Sequence, residues 1–578
     1  MAAQSQVNPV ATEKLSHDAF IDSPTINKPK ILNEKIENQW TPNVDTYIKD
    51  LRIIPEHKFT VTTLFPPLTY VVYFHRAIRD LVLTVLFNWS MPFLHPLNFL
   101  VMVTVFPAIV IVLVVLEAVL RISYSLGFGY VLKGISKKWG DGLSPVNWSN
   151  PTIFSDDKVN KIVKVGIARL ARPLAPAVET VAETTNRGTT NVKQTREFNL
   201  DIAETLLLMS AIIYERDDLK VHEARKLALE RDTIKRDDAI YNKLRDSEKR
   251  IHEQADIWNL KFTRLSELNS LGGPFAGMFW SDEHNFIVVV FKGTTPTDFE
   301  DFLVDAMIQR VDARPYVFGE VHEGFYTSLF PETDRITPRG HASSPYITII
   351  KKIREKAARI RERNAQLSPP IHAPVNLWVT GHSLGAALST LFYSRLLNSP
   401  ADLGPNCILR DGYLFGTPAI GDADFAAEYA AISNTPFDRQ NTLWRIIDDT
   451  DIITKLPLGF EDPSVLRFSD KFSVFNYAHV GEGIRFFQDG RPPVSTWSLF
   501  KDSRAVVCDE TWHSRKDAFP KYEHKLGSPL MWVEKLLPTF FRNHVPIRYF
   551  EAMERARVYF DDDDDDNDDN GKKVNVEN

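Results

Sequence analysis

The sequence predicts an α/β fold with a largely parallel central sheet flanked by helices, preceded by an N-terminal hydrophobic membrane segment. Three observations support this prediction. Apolar, β-branched runs alternate with amphipathic helical periods through the second half of the chain. A glycine-flanked turn around Ser383 joins one apolar run to a helical one. Between Asp80 and Glu117 the chain carries no Asp, Glu, Lys or Arg.

Length and composition describe a globular protein with appended segments. The chain has 578 residues, more than one hydrophobic core usually organises. Hydrophobic residues make up 44% and charged residues 25%, and the net charge of −7 owes much to the Asp-rich run at 561–569. This balance gives no indication of a nucleic-acid partner. Cys407 and Cys508 exclude a disulfide framework, although a single bridge remains open.

The uncharged stretch predicts a membrane-associated region over 61–140, with its hydrophobic segment at about 81–118. One topology is a single spanning helix over about 97–118, and the preferred one is a hairpin that turns at the prolines of 88–96. A buried core helix is the third alternative. Basic residues on either side favour the cytosol for both flanks. These residues are Arg76, Arg79, Arg121, Lys133, Lys137 and Lys138.

The other segments differ in composition. Residues 1–60 are polar and lack the features of a cleaved signal peptide, so we expect a disordered segment and no secretion by that route. Residues 141–195 contain Ser, Thr and Pro and predict a linker. The acidic residues 559–578 predict a disordered tail. The catalytic domain is therefore expected over 196–558.

Within 196–558 the pattern predicts alternating helices and strands. A helical period runs from Ile202 to about Tyr214. Residues 218–256 mix Lys and Arg with Asp and Glu and predict one long solvated helix, with a partner-binding coiled coil as the alternative. Strands are predicted at 285–291, 375–380, 411–416 and 442–447, and helices at 349–360 and 386–397. Strands separated by helices favour a parallel, covered sheet.

The turn Gly381-His382-Ser383-Leu384-Gly385 has the form of a nucleophile elbow. It follows an apolar strand and precedes an Ala-rich helix, the context that exposes a serine hydroxyl on a strained turn. The two glycines let the turn close without side-chain clashes, and the helix N-terminus adds positive potential. Ser383 is therefore the candidate nucleophile, and a structural Gly/Ser turn is the alternative.

Together with the elbow, four further motifs resemble the class 3, or fungal-type, lipase family of α/β hydrolases. FKGT at 291–294 resembles its oxyanion segment, and VHEGF at 321–325 resembles its VHxGF stretch. FGTP at 415–418 is similar to its FGxP strand end, and RIIDDTDIITKLP at 445–457 is similar to its RVVxxxDxVxxLP segment. The resemblance covers roughly residues 199–550. It implies an α/β-hydrolase domain with a Ser-His-Asp triad.

For the acid, the resemblance selects Asp451, because the family places two apolar residues and a later Leu-Pro pair after its catalytic Asp. Asp451 would orient the catalytic histidine and stabilise its imidazolium. The rival carboxylates are Asp422, Asp448 and Asp449.

For the base, the preferred residue is His544, whose surroundings resemble the family's C-terminal histidine element. Asn543 replaces the Asp that usually precedes this histidine. His479 is the main rival, in a stretch whose histidine is usually structural in the family. His513 and His524 also follow Asp451 and so satisfy the Ser, Asp, His chain order.

The oxyanion hole is expected to use two donors. The elbow geometry requires the backbone amide of Leu384, and the resemblance implies Thr294 as the second donor. Lys292 receives no chemical role. Residues 299–308 form an amphipathic stretch that predicts a lid or, equally, a packing helix. No metal or cofactor is expected, because the sequence shows no zinc-ligand spacing and no glycine-rich phosphate loop after a strand.

The resemblance implies a lipase that acts on acylglycerols through an acyl-enzyme, with a lipid ester as substrate and a membrane or lipid-droplet surface as partner. A phospholipase or an acyltransferase would share the triad. A membrane-tethered inactive scaffold is the alternative of another class. We expect the protein on the endoplasmic reticulum or a lipid droplet, with the catalytic domain facing the cytosol. The sequence identifies no protein partner.

Overall fold

The computed structural model describes residues 126–173, 196–228, 234–268, 275–295, 310–330, 344–433, 442–457, 476–496 and 539–560, with isolated positions between 78 and 123 and short strands at 183–184, 190–191 and 505–506. The predicted polar segment 1–60, the candidate lid 299–308 and the tail from 561 lie outside the described residues. So does the hydrophobic segment 81–118, apart from isolated positions. In the described part of the chain, no helix is both long and apolar enough to cross a membrane.

Eight of the described strands form one mixed sheet, and their order across the sheet is their order in the chain. They are β1 (Lys261–Ser266), β2 (Ala276–Trp280), β3 (Phe286–Phe291), β4 (Val375–His382), β5 (Cys407–Phe415), β6 (Leu443–Asp448), β7 (Glu482–Phe486) and β8 (Val494–Ser495). Neighbours from β3 to β7 pair in parallel, whereas β1 with β2, β2 with β3 and β7 with β8 pair antiparallel.

Helices flank this sheet. They are α1 (Phe128–Trp139), α2 (Asp157–Leu170), α3 (Leu200–Ile212), α4 (Asp218–Ala228), α5 (Ile234–Ser247), α6 (Lys249–Ile257), α7 (Glu323–Leu329), α8 (Pro345–Ala365), α9 (Leu384–Asn398), α10 (Ala423–Ser433), α11 (Thr539–Arg542) and α12 (Pro546–Ala556). Short 3-10 turns occupy Ile213–Glu215, Pro400–Leu403, Ile453–Lys455 and Arg557–Tyr559. Outside the main sheet, Arg310–Asp312 pairs with Glu320–His322, Glu183–Thr184 with Thr190–Asn191, and Arg196–Glu197 with Ala505–Val506.

Both faces of the sheet are covered, and β3 shows why its sequence is an unbroken apolar run. Because side chains alternate between faces along a strand, Ile287 and Val289 enter the core beneath α8 and α9. Phe286 and Val288 enter the opposite core, beneath α2, α3 and α12. A strand buried on both faces needs no polar alternation. This sheet with flanking helices fits the predicted α/β-hydrolase architecture.

The strands predicted at 285–291, 375–380, 411–416 and 442–447 correspond to β3, β4, β5 and β6. The predicted helices correspond to α3, α8 and α9, each within a few residues at its ends. α8 begins earlier than its apolar period, because Pro345 occupies its first turn, where a missing N–H costs nothing.

The prediction of one long helix over 218–256 is wrong, because this stretch forms α4, α5 and α6. The amide of Asp217 donates to the carbonyl of Ser247 at 2.9 Å, so the start of α4 meets the end of α5. The few apolar residues of the stretch meet between the two helices and give them a small core of their own. These residues are Val221, Ala224, Ile240 and Leu244.

The prediction of a linker over 141–195 is also wrong for its first part, which belongs to the folded domain. The apolar face of α2 packs with α3 in the core on one side of the sheet. Gly166 lets the two helices approach, since a Cβ there would lie 1.9 Å from Thr205 Oγ1. The carbonyl of Leu170 accepts hydrogen bonds from Asn376 Nδ2 at 3.0 Å and Trp378 Nε1 at 3.1 Å, both on β4.

Candidate active site

Ser383 lies in the turn between the end of β4 and the start of α9. Its backbone has φ 58° and ψ −128°, a combination that a non-glycine residue adopts only under strain. The amide of Ser383 donates to the carbonyl of Phe415 on β5 at 2.9 Å, which helps to hold the turn. The side chain therefore projects from a rigid strand end, as a nucleophile elbow requires.

The elbow glycines are required by close backbone approach. A Cβ on Gly381 would lie 2.4 Å from the carbonyl oxygen of Gly385, inside the turn itself. A Cβ on Gly385 would lie 2.1 Å from the carbonyl oxygen of Phe291. Because neither contact can be relieved by moving a flexible side chain, both positions exclude larger residues. The close approach of Gly385 to Phe291 also shows that the end of β3 lies directly against the elbow.

The structure brings Ser383, His544 and Asp451 together. His544 lies just before α12, with Nε2 2.8 Å from Ser383 Oγ and Nδ1 2.8 Å from Asp451 Oδ2. Asp451 follows β6 and is fully buried. Since a carboxylate only accepts hydrogen bonds, Nδ1 carries the ring proton and donates a hydrogen bond to Asp451. This tautomer leaves Nε2 able to accept the serine proton.

Asp451 is held as a carboxylate. Burial raises its pKa, but the positive charge that His544 can carry and the hydrogen bonds from His544, Tyr549 and the amide of Ile453 outweigh burial and lower the pKa below its ordinary value. The Ile453 amide donates to Oδ1 at 2.9 Å, and the Tyr549 hydroxyl donates to Oδ2 beside His544. Both oxygens thus have fixed partners.

The rival carboxylates have other partners. Asp448 is buried and accepts two bonds from Gln488 Nε2, at 2.9 and 2.8 Å. Asp422 Oδ1 accepts from the amides of Glu320 at 3.1 Å and Phe425 at 2.8 Å, which ties the strand Glu320–His322 to the start of α10. Asp449 occupies the turn after β6 with φ 35°.

Among the histidines, His479 bonds the carbonyl of Thr454 through Nε2 at 2.9 Å, whereas the contact with Ser383 comes from His544. Burial, with the charge of Arg445, keeps the pKa of His479 well below its ordinary value. His513 and His524 lie outside the described residues. Asn543, which stands where the family usually has an Asp, donates through Nδ2 to Thr450 Oγ1 at 3.2 Å. This hydrogen bond joins the residue before His544 to the residue before Asp451.

Two residues that sequence reasoning missed, Tyr214 and His382, link the loops of the site. Burial lowers the pKa of His382 to about 3, so its ring is neutral. Its Nε2 faces the carbonyl of His544 at 2.6 Å and must donate, so Nδ1 accepts from the Tyr214 hydroxyl at 2.9 Å. Tyr214 Oη is also bonded to the backbone of Gly293. The position of His382 inside the elbow was the available signal.

The candidate oxyanion donors belong to the start of α9 and to the segment that follows β3. Leu384 is the first residue of α9, and amides of a first helical turn have no partner within the helix. Thr294 follows Gly293, where a Cβ would lie 2.5 Å from the carbonyl oxygen of His382, so the segment runs against the elbow. Thr294 itself is half-buried.

Lys292 anchors the candidate oxyanion segment to the rest of the domain. Its ammonium lies 3.1 Å from Asp218 Oδ1, and Thr295 Oγ1 donates to Asp218 Oδ2 at 3.4 Å. The end of β3 is thereby tied to the start of α4. No set of His, Cys, Asp or Glu side chains in the described ranges is arranged to hold a metal.

Comparison with known proteins finds a family model that covers Ser383 and Asp451 and ends before His544. Residues 288–461 match the family model described as lipase (class 3). The chain is 29% identical over 213 residues to triacylglycerol lipase OBL1 of Arabidopsis thaliana, covering 34% of this chain and 36% of that protein. It is 26% identical over 198 residues to phospholipase A1-IIgamma of the same plant, covering 32% and 42%. The matches thus span less than half the length of either relative.

Solved structures similar to this chain include fungal lipases. The native Rhizomucor miehei lipase propeptide complex aligns with a TM-score of 0.31 and 17% identity, covering 57% of this chain and 87% of that one. Lip2 lipase from Yarrowia lipolytica aligns with a TM-score of 0.25 and 18% identity, covering 40% and 68%.

Proposed function

We propose that the protein is a lipase of the class 3 family, a serine ester hydrolase that acts on acylglycerols, because residues 288–461 match the model of that family. The observation that supports the proposal most is the hydrogen-bonded chain from Ser383 through His544 to Asp451, with 2.8 Å at each step. A chain with this geometry can activate a hydroxyl at neutral pH.

In the proposed reaction, His544 Nε2 takes the Ser383 proton as Oγ attacks the ester carbonyl. The tetrahedral oxyanion accepts hydrogen bonds from the amide of Leu384 and from Thr294, and losing one such donor costs about 2.7–4 kcal/mol of transition-state stabilisation. The C–O bond then breaks, and the imidazolium gives its proton to the leaving alcohol. His544 then deprotonates a water that attacks the acyl-enzyme carbonyl, the bond to Ser383 Oγ breaks, and the imidazolium returns its proton to Oγ as the fatty acid leaves.

Asp451 fixes the tautomer of His544 and stabilises its positive charge during both steps. We assign Tyr214 and His382 a positioning role, because their hydrogen bonds join the backbone of Gly293 to the carbonyl of His544. The oxyanion segment and the loop of the catalytic histidine are thereby both tied to the elbow through His382.

Acylglycerols are the proposed substrates, and phospholipids are the second candidate because one relative is a phospholipase A1. An acyltransferase and an inactive scaffold are the remaining alternatives. We propose attachment to a membrane or lipid-droplet surface through the uncharged segment at 81–118. A tether would keep the enzyme at an interface where its substrate is concentrated. The proposed location is the cytosolic face of the endoplasmic reticulum or a lipid droplet.

The test is a hydrolysis panel with the full-length protein and its Ser383→Ala variant. Emulsified triacylglycerol and diacylglycerol, phosphatidylcholine vesicles and a dissolved short-chain ester are compared by fatty-acid release. The proposal predicts release from acylglycerols that Ser383→Ala abolishes. Ser389→Ala is the matched control, since this buried serine of α9 only donates to the carbonyl of Thr380 at 2.8 Å. Release from phospholipid alone would support the second candidate, and equal release by Ser383→Ala would refute a serine mechanism.

A further inference from the structure

α1 turns its apolar face away from the protein. Phe128, Val131, Leu132, Ile135 and Trp139 fall on one side of the helix by its 3.6-residue period, and we call this set the α1 stripe. Phe128 is 40% exposed, Val131 55% and Trp139 38%, and the other two are half-buried. An amphipathic helix of a globular protein normally packs such a stripe onto the core.

Polar contacts and small residues hold α1 in this orientation. The buried residues of the helix are Gly129 and Ser136, which lie off the stripe. Ser136 Oγ donates to the carbonyl of Leu143, and Lys133 Nζ forms an ion pair with Asp217 Oδ2 at 2.7 Å. The helix is therefore docked by the side that carries Gly129 and Ser136.

The composition around the stripe indicates what covers it. α1 contains no acidic residue, and Lys137 and Lys138 are exposed in its last turn. The ammonium of Lys138 lies 4.5 Å from the ring centre of Trp139, at the border of the stripe. Aromatic residues at both ends, an apolar stripe and flanking lysines characterise helices that lie in a membrane interface. A protein partner would not require this excess of positive charge.

The position of α1 in the chain and in the fold favours the same occupant. The uncharged segment ends at Leu116, shortly before the helix. Lys133 of α1, which lies off the stripe, forms its ion pair with Asp217. The next residue, Asp218, forms an ion pair with Lys292 of the oxyanion segment at 3.1 Å. Two successive ion pairs thus connect the stripe-bearing helix to the rim of the candidate active site.

We propose that α1 lies in the plane of an anionic phospholipid surface, with its stripe among the acyl chains and Lys137 and Lys138 at the headgroups. In this arrangement α1 holds the entrance to Ser383 beside the lipid, a consequence that rests on the proposed lipase function. The binding itself does not depend on catalysis, so the two are tested separately.

The binding test uses the full chain with Cys508→Ser and one new cysteine that carries an environment-sensitive fluorophore. Val131→Cys places the probe on the stripe, and Tyr130→Cys places it on the opposite side of the same helix, where the native side chain is 66% exposed. Vesicles contain equal parts phosphatidylcholine and phosphatidylserine, or phosphatidylcholine alone. Anionic vesicles should blue-shift the probe at 131 and shield it from iodide, and leave the probe at 130 accessible.

Three outcomes would overturn the proposal. Equal iodide access at 131 and 130 on anionic vesicles would show that the stripe does not enter lipid. Equal shielding of the probe at 131 by neutral and anionic vesicles would show that Lys137 and Lys138 do not contribute to lipid binding. Shielding at 131 without vesicles would show that protein, such as a second copy of the chain, covers the stripe.

The activity test compares Val131→Glu with Tyr130→Glu, after thermal melting shows that both are folded. We expect Val131→Glu to lower hydrolysis of acylglycerol carried in anionic vesicles at least tenfold, and to leave hydrolysis of a dissolved short-chain ester unchanged. Lys137→Gln and Lys138→Gln should each lower vesicle binding about fivefold. A vesicle rate for Val131→Glu equal to that of Tyr130→Glu would refute the catalytic consequence. If the wild type hydrolyses neither substrate, the proposed lipase function is refuted. The fluorophore measurement still shows whether α1 binds the lipid surface.

Discussion

Asp451→Asn should remove nearly all activity while leaving the fold intact, and the structure gives the reason. The amide of Ile453 donates to Oδ1 at 2.9 Å, so an asparagine must keep its carbonyl oxygen at that position. Its NH2 group then occupies the place of Oδ2, 2.8 Å from His544 Nδ1. Since NH2 only donates, Nδ1 must become the acceptor and the ring proton moves to Nε2, which can no longer accept the Ser383 proton.

The expected loss in kcat is about 10⁴-fold, as the equivalent change causes in serine proteases, and corresponds to about 5.5 kcal/mol. The assay is hydrolysis of a dissolved short-chain ester, which avoids any effect of surface binding. Asp448→Asn is the matched control, because burial raises the pKa of Asp448 well above its ordinary value and its partner is Gln488. It should stay within about threefold of wild type. An Asp451→Asn enzyme that retains a tenth of the activity would refute this reasoning.

Three further predictions concern the supports of the triad. Gly416 has φ 62°, and a Cβ there would lie 2.9 Å from His544 Cε1. Gly416→Ala should therefore displace His544 and lower kcat by about 10–100-fold. An unchanged kcat on the dissolved ester would contradict this prediction. Tyr549→Phe removes a hydrogen bond to ionised Asp451 and should lower the free energy of unfolding in urea by about 1.5–3 kcal/mol; a loss below about 0.5 kcal/mol would argue against it. The pKa of His382 falls from 6.5 to about 3 on folding, so the unfolded chain binds more protons in that window and stability should decrease as pH falls below 6.5, by up to about 1.4 kcal/mol per pH unit from this group. His382→Gln should show a shallower decrease, and identical slopes for the variant and wild type would refute the assignment.

Local rules were sufficient for the central strands and the elbow. β3 is buried on both faces, so its sequence is a continuous apolar run, and Gly381 of the elbow follows from backbone contact with Gly385, four residues away. The resemblance of residues 288–461 to class 3 lipases is confirmed by the family match. These features depend on neighbours in sequence, which is the information that a single sequence contains.

Features that depend on distant partners were harder to predict. The sequence predicts a linker at α2, because the apolar face of this helix has a function only when it packs against α3. The sequence predicts one helix for the charged stretch, because the four apolar residues that close the α4–α5 hairpin are too sparse to form a period. Tyr214 and His382 are separated by 168 positions, so their hydrogen bond leaves no local signal. Membrane attachment and the lid remain predictions, since they fall mainly outside the described residues.

The central claim is that Ser383 is a nucleophile activated by His544. It is tested most directly by treating the full-length protein with a fluorophosphonate and locating the adduct by peptide mass spectrometry. The account predicts a single adduct on Ser383, formed at least about 1,000-fold more slowly in His544→Ala and at a rate near wild type in folded His479→Gln. An adduct on another residue, or labelling of His544→Ala at the wild-type rate, would contradict it.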